Sequence, residues 1–231
     1  MKKNNNNKKF SESYMGKKFL KMLTNPSHFS CFPSFAVIAP EVSCLQGKPD
    51  FIALTRPKPR KIDFDKIRQL SKIERTSSTV HILSLLKRYS PRTIPFLIKN
   101  SGYSKSTVQR ALSVLINYSL IDNTPSGSYI ISRKFHLPTN ELWVFELKLN
   151  NWKRALFQAL QCKSYATRIV TVFPKSLERT LNSHLDKFKR MKIGVLTFDP
   201  HCGTYSLLLK PHKNIQLSRM HYLYAFSQMR F

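Results

Sequence analysis

The chain has 231 residues, of which 42% are hydrophobic and 16 are Phe, enough for one large or two small domains and too apolar for a disordered basic tail. Lys and Arg number 39 against 12 Asp and Glu, a formal charge of +27, and the commonest match for such a charge is a phosphate backbone whose counterions are released on binding. No apolar run approaches the roughly 20 residues of a membrane span, so no membrane partner is expected.

The stretch Met1 to Lys9 is Lys and Asn with no apolar segment behind it, which reads as a flexible basic arm over residues 1–10 rather than a signal peptide. Ser11 is placed to cap a helix running to about Leu23, with Tyr14, Phe19 and Leu20 among its apolar positions, and Asn25-Pro26 stops it. Phe35 to Ile38 and Phe51 to Leu54 are short apolar runs between turn-forming residues, the pattern of two strands joined through Ala39 to Pro49. Residues 26–57 hold two cations and two acids, whereas residues 58–138 hold fifteen cations against four acids. The two acids of the neutral stretch, Glu41 and Asp50, therefore lie in apolar surroundings.

At Arg56 the composition turns to Pro-Lys-Pro-Arg-Lys, an extended basic linker. Residues 79–88 and 93–100 have helical spacing, Ser101-Gly102-Tyr103 makes a tight turn, and Ser104 caps a third helix with Val108, Leu112, Leu115 and Ile116 at core spacing. Ile121 to Thr124 and Ser128 to Ile131 flank Pro125-Ser126-Gly127, a hairpin with a turn-forming tip. Helix, helix, turn, helix and hairpin over residues 79–135 resemble the winged helix family, most closely in GYSKSTVQRALSVLINYSLI. The resemblance implies that Lys105, Ser106, Thr107, Gln109 and Arg110 face DNA, from the helix that enters the major groove. Winged helices also serve as protein-docking modules.

After Pro138-Thr139-Asn140, Leu142 to Leu149 reads as a strand with one acid and one base inside it. Residues two apart on a strand share a face, so Glu146 and Lys148 converge, and burying such a pair costs several kcal/mol unless each is satisfied. An amphipathic helix from about Trp152 to Ala166 leads into the apolar strand Arg168 to Phe173. Leu177 to Arg190 follows as a basic helix, Ile193 to Phe198 and Tyr205 to Leu209 as a hairpin, and Gln216 to Met229 as an aromatic helix that is a candidate dimer contact. Cys31, Cys44, Cys162 and Cys202 show no zinc spacing, and reduced thiols in a cytoplasm fit them best. The seven histidines, His201 among them, form no HxH or HExxH arrangement.

Helix, strand, strand opening on Pro49-Asp50, strand with Glu146-Leu147-Lys148, helix and strand together resemble the core of the PD-(D/E)xK nuclease superfamily, over residues 11–57 and 139 to about 210. Acid-x-Lys occurs once in the chain, a tripeptide that in so Lys-rich a sequence is expected about once by chance, so its context carries the argument. The chain departs from the family pattern in the interval between Asp50 and Glu146, which holds the whole winged helix.

The resemblance implies an α/β fold with a restriction-endonuclease-like mixed sheet flanked by helices. It comprises a first part at 11–57, an inserted winged helix-turn-helix with its linker at 58–138, and a second part with the C-terminal helix at 139–231. It implies a metal-dependent endonuclease hydrolysing phosphodiester bonds, with Mg²⁺ or Mn²⁺ held by Asp50, Glu146 and the Leu147 carbonyl. Hard cations of this kind take carboxylate oxygens and leave positions for water and phosphate. Lys148 orients or helps deprotonate the attacking water and stabilises the charge growing on the phosphate. Gln158 matches a Gln often seen in the superfamily, and Gln161 with Tyr165 is the alternative match. Glu41 and Glu12 are further candidate ligands. Each site residue also has an ordinary structural reading: an edge ion pair for Glu146 and Lys148, a turn for Asp50, helix surface or core for Gln158 and Tyr165, and surface acids for Glu41 and Glu12.

The partner expected is DNA, with a homodimer or larger nucleoprotein complex as further options. The place expected is the cytoplasm, on the nucleoid or in a nucleus, in a mobile-element or restriction role. A DNA-binding regulator on a nuclease-like scaffold and an RNA-binding or RNA-processing protein are the alternatives, because basic charge alone does not separate DNA from RNA.

Overall fold

A computed structural model of the chain describes residues 10–25, 31–55, 77–135, 140–215 and 218–229. The basic arm 1–9 and the linker 56–76 lie outside the described residues. The fold is mixed α/β, a mixed six-stranded sheet flanked by helices, with a separate two-stranded hairpin.

Helix α1 (Glu12–Leu23) begins at Ser11, whose hydroxyl accepts from the Tyr14 N–H at 3.1 Å, satisfying one of the four amides that a helix start leaves without a carbonyl. Strands β1 (Phe35–Pro40) and β2 (Phe51–Thr55) pair antiparallel, and β2 pairs antiparallel with β5 (Leu142–Leu147). Strands β6 (Arg168–Pro174) and β7 (Gly194–Phe198) continue the sheet in parallel from β5, and β8 (Tyr205–Leu209) closes it antiparallel, in the order β1-β2-β5-β6-β7-β8.

Alternation sorts the strand residues to two faces. Phe51, Ala53, Trp143, Phe145 and Leu147 meet Met15, Phe19, Met22 and Leu23 of α1. The Phe19 ring lies 5.6 Å from Phe145 and 5.7 Å from Phe198, so burying it completely stabilises the contact by roughly 2 to 3 kcal/mol. Ile52, Leu54, Leu142 and Val144 face the other way, toward Ala155 and Ala159 of α5 (Trp152–Gln161).

Between β2 and β5 the chain forms α2 (Ser77–Leu85), α3 (Ile94–Ser101), α4 (Lys105–Asn117) and the hairpin β3 (Ile121–Asn123) with β4 (Tyr129–Ile131). Gly102 ends α3 with φ 74°, where its N–H donates to the Ile98 carbonyl at 2.9 Å, a left-handed conformation that glycine adopts without a Cβ clash. Arg92 bridges Tyr129, so a third short segment joins the hairpin.

The two ends of this excursion are tied together. The Thr55 N–H donates to the Glu141 carbonyl at 3.1 Å, and the Asn140 side-chain amide donates to the Thr55 carbonyl at 2.7 Å. The excursion therefore leaves and rejoins two neighbouring antiparallel strands, and the long interval between Asp50 and Glu146 costs their pairing nothing in register.

Helix α8 (Arg219–Gln228) packs on α2, with an Arg219 guanidinium nitrogen donating to the Leu86 carbonyl at 3.1 Å and the Tyr222 hydroxyl to the Asn140 carbonyl at 2.9 Å. One continuous apolar cluster runs from the helical excursion through α8 to the sheet. The sequence reading placed this helix with the sheet; it touches both.

Several boundaries differ from the sequence reading. The basic helix expected over 177–190 is two short helices, α6 (Glu178–Asn182) and α7 (Leu185–Arg190). Asn182 and Ser183 favour a helix end, and the chain turns at Ser183 and His184 before α7 begins, with the His184 ring 4.4 Å from that of Trp152. The amphipathic helix stops at Gln161 and tightens into a 3-10 turn, Cys162–Ser164. In α4, Ala111 takes the core place expected for Ile116, which is 42% exposed. The strand expected to reach Leu149 ends at Leu147, although the Lys148 N–H still donates to Val172 of β6 at 3.0 Å.

Candidate functional site

The register Phe51↔Phe145 continues backward by one step to set Asp50 opposite Glu146, on the face that carries Ile52 and Val144. Asp50 is held there by the strand that bears Glu146: its Oδ2 accepts from the Leu147 N–H at 2.7 Å, across 97 residues of sequence. The Asp50 carbonyl accepts from the Glu41 N–H at 2.9 Å, which fixes the loop before β2.

Lys148 follows the end of β5 and collects three oxygens. Its Nζ lies 3.1 Å from Glu146 Oε1 and 3.3 Å from Glu12 Oε1, and it donates to the Leu147 carbonyl at 2.8 Å. The Lys148 side chain is 13% exposed and that of Glu146 only 3%, whereas Glu12 at the start of α1 keeps 44%. An ion pair this dry contributes only when each member is well satisfied. Burial first, and the neighbouring Asp50 carboxylate second, push the Glu146 carboxyl up to about 7, against the pull of Lys148. Burial likewise raises Asp50, opposed by the Leu147 N–H and Lys148. At Lys148 burial favours the neutral amine, but Glu146, Asp50 and Glu12 together outweigh it and hold the ammonium form.

A cleft of about 350 Å³ opens beside this cluster, lined by Glu12, Lys17, Glu41, Asp50 and Leu147 among others. Glu41 stands at its rim, exposed, with its carboxylate 2.6 Å from the Lys48 ammonium. Of the expected site residues, the structure thus brings together Asp50, Glu146, Leu147, Lys148 and Glu12, and holds Glu41 outward on Lys48.

Gln158 lies on α5 one turn before Cys162, whose thiol feels the charges of both Glu146 and Asp50. Its Oε1 is buried and finds no donor among the described residues, an arrangement that costs free energy unless another group satisfies it. Gln161 is exposed, and its Oε1 stands 3.4 Å from where a Cβ on Gly47 would lie. Tyr165 is fully buried, its hydroxyl 3.1 Å from Cys162 Sγ, so it packs the core. All four cysteines are free. Tyr165 also hydrogen-bonds Cys44, a contact that had no signal in the sequence because it joins residues about 120 positions apart.

Would these residues suit a divalent cation? The donor chemistry does: a buried carboxylate on Glu146, a half-buried one on Asp50, a third at the rim and a main-chain carbonyl are hard oxygens, and three of these groups already converge on one cation, the Lys148 ammonium. Among the described residues, however, no group of three or more His, Cys, Asp or Glu is arranged to hold a metal ion. As folded, then, the site is an acid and lysine network.

On α4, the side chains of Lys105, Ser106, Gln109 and Arg110 are exposed on one surface. Thr107 is half-buried and turned inward, its hydroxyl 3.0 Å from that of the cap, Ser104.

The chain matches no model of a known protein family, no curated protein and no solved structure. Among the described residues no helix is long and apolar enough to cross a membrane. What the protein does has to be argued from the arrangement of its own side chains.

Proposed function

We propose that the protein is a DNA-binding, metal-dependent endonuclease of the PD-(D/E)xK type, with a winged helix inserted between two strands of a restriction-endonuclease-like sheet. The observation that carries this reading is the clamp from Asp50 to the Leu147 N–H at 2.7 Å. It seats a second carboxylate beside Glu146 and Lys148 at the end of a strand, under an open cleft. Acids gathered at such cost in desolvation are a mark of functional sites.

Asp50, Glu146 and the Leu147 carbonyl would hold Mg²⁺ or Mn²⁺, with Glu12 as a further oxygen at the rim. The ion, when bound, supplies Lewis-acid stabilisation of the phosphate and a water of lowered pKa. Water oxygen attacks phosphorus, the bond to one ester oxygen breaks, and the products are a phosphate monoester and a hydroxyl. Lys148, kept as an ammonium by the surrounding carboxylates, donates to the charge growing on the phosphate rather than accepting the water's proton. Gln158, with its buried carbonyl oxygen lacking a donor, is suited to accept from a water or substrate group and position it.

The helical excursion supports the winged helix part. Its order, α2, the Arg92 segment, α3, α4 and the hairpin, presents Lys105, Ser106, Gln109 and Arg110 outward, and Thr107 serves the cap instead. The hairpin tip, Thr124 to Gly127, carries no cation, whereas Arg133 and Lys134 beyond it are exposed. These two are the residues of the wing that meet phosphate. A cytoplasmic or nucleoid-bound setting and a mobile-element or restriction role suit this reading.

The second reading is a non-catalytic DNA-binding regulator on the same scaffold. The acids and Lys148 are mutually satisfied, and among the described residues no ready metal-ligating group is present, which is the observation in its favour. Incubating labelled duplex, single-stranded and branched DNA with Mg²⁺ or Mn²⁺ separates the two. Cleavage that is lost in Glu146→Ala and Asp50→Ala while DNA binding persists supports the nuclease; binding without cleavage of any substrate supports the regulator.

A further inference from the structure

On the side of α1 away from Asp50, a groove of about 610 Å³ runs between Lys18, Lys21 and Asn25 and the turn joining β7 to β8, with Phe198, His201 and Tyr205 among its lining. It combines cations with the exposed His201 ring and the half-buried Tyr205 ring, over a buried Phe198. Lys18 and Lys21 are exposed, and Lys18 also stands 5.6 Å from the centre of the Tyr14 ring.

His201 is exposed, with its ring 5.7 Å from Phe10 and 5.8 Å from Tyr14. Phe10 and Tyr14 are themselves half-buried behind it, so they brace a ring that faces outward. The nearest acid, Asp199, is occupied inside the turn, accepting from the His201 N–H at 2.9 Å and from Cys202 Sγ at 3.1 Å. Among the described residues, no acid lines the groove.

We propose that this groove binds single-stranded nucleic acid, with Lys18 and Lys21 on successive phosphates and the His201 ring as a platform for a base. Charge complementarity selects a polyanion, and the braced ring narrows the choice. A duplex keeps its base faces stacked on one another, while a single strand offers them to an aromatic side chain, a contact that alanine substitution shows to be general across bases. An acidic peptide would satisfy the lysines and leave the ring unused. The surface is separate from the one formed by α4 and does not depend on catalysis at Glu146. It rests on the proposed function only for the class of partner. Lys18 and Lys21 follow Glu12 by six and nine residues on one helix, about 9 and 14 Å along its axis. A displaced or flayed strand held there stays beside the acid cluster.

The test is fluorescence anisotropy of the full chain with labelled oligothymidylate, oligouridylate and a hairpin duplex, in EDTA so that the probes stay intact, across a series of salt concentrations. The Lys18→Gln/Lys21→Gln variant is expected to weaken single-strand binding at least tenfold. Its log–log salt slope should become shallower by about 1.4, the sum of two phosphate contacts at roughly 0.7 each, with much less change for the duplex. His201→Ala, a single exposed substitution, is expected to weaken single-strand binding by roughly fivefold or more at an unchanged salt slope. Thermal melting of each variant establishes that it is folded. Equal binding of oligothymidylate and oligouridylate supports the groove as indifferent to the sugar and to the thymine methyl, and a preference for either supports it with one of those two groups read. Unchanged affinity and slope in both variants, with duplex binding intact, overturn the groove and leave the nuclease reading standing. Competition by polyglutamate as strong as by oligonucleotide overturns it as well, because the groove then reads charge alone. A wild-type chain that binds no nucleic acid of any kind overturns both.

Discussion

Replacing Lys148 with Met asks whether the acid cluster is held together by that one ammonium. The pair with Glu146 is 3.1 Å long, which at an effective dielectric of about 20 is an attraction of about 5 kcal/mol. Water regained by the freed carboxylate and the apolar packing of Met return part of this. The contact with Glu12, 44% exposed, adds less than about 1 kcal/mol. A net loss near 3 kcal/mol is expected, within the range for leaving one member of a buried pair alone. Urea unfolding at neutral pH reads this as a midpoint lowered by roughly 1 M or more, for a slope of 2 to 3 kcal/mol per molar. Without Lys148 the Glu146 carboxyl, already pushed up to about 7, must take up a proton on folding or stay ionised while buried; adding Glu146→Gln removes that cost, so the double variant should recover at least about 1 kcal/mol as a coupling energy. A loss below about 1 kcal/mol in the single variant, together with simple additivity in the double, would refute the claim that these groups form one desolvated cluster.

Gly194→Ala should destabilise the sheet by about 1 to 3 kcal/mol, because a Cβ there would meet Pro211 at 2.9 Å, including its backbone nitrogen; a melting temperature equal to wild type would contradict this. Glu141 supplies a pH dependence away from the acid cluster. Burial would raise its carboxyl, but Arg168 at 2.9 Å and Lys213 at 3.4 Å outweigh burial and hold it below its ordinary value. Its folded value being depressed, the stability it contributes is present above about pH 4.5 and is lost as pH falls through the folded value. Glu141→Gln should therefore flatten the acid side of the stability curve and leave the difference from wild type smallest at the lowest pH. Arg110→Ala and Lys105→Ala together should weaken duplex DNA binding and reduce its salt slope by up to about 1.8, from roughly 0.9 per phosphate contact, as measured by titration at several salt concentrations; an unchanged slope would remove α4 from the interface. Glu146→Ala should abolish Mg²⁺-dependent cleavage and retain duplex binding, which a gel-shift assay run beside the cleavage assay checks.

Local chemistry determined most of the elements. The side-chain oxygens of Ser11, Thr93 and Ser104 each accept from a backbone N–H in the first turn of the helix they precede, so those starts are legible from residue type alone. Glu146 and Lys148 were readable as one site because strand alternation puts residues two apart on one face. Helix ends in the C-terminal half were less legible: the break between α6 and α7 falls at Ser183 and His184, and the His184 ring meets Trp152, more than thirty residues earlier, a contact no window of sequence contains. Ile116 has the spacing of a core residue, yet nothing covers it well enough to bury it.

Tertiary structure decided how Asp50 meets Glu146, a pairing that the family resemblance implied and no local pattern supplies. Their separation of 96 positions, with a helical unit in between, leaves no periodicity to join them. What joins them is the antiparallel register of β2 on β5, closed at one end by Thr55, Asn140 and Glu141 and at the other by the Asp50 carboxylate on the Leu147 N–H. The direction of Lys148 toward Glu12, the outward turn of Glu41 onto Lys48 and the groove between α1 and the β7–β8 turn were decided in the same way. Residue types set which charges and rings are available, and the packing of α1 across the sheet sets which of them meet. Contacts between distant segments depend on loop closure and on burial of a shared core, which act on the whole chain at once and leave no local mark.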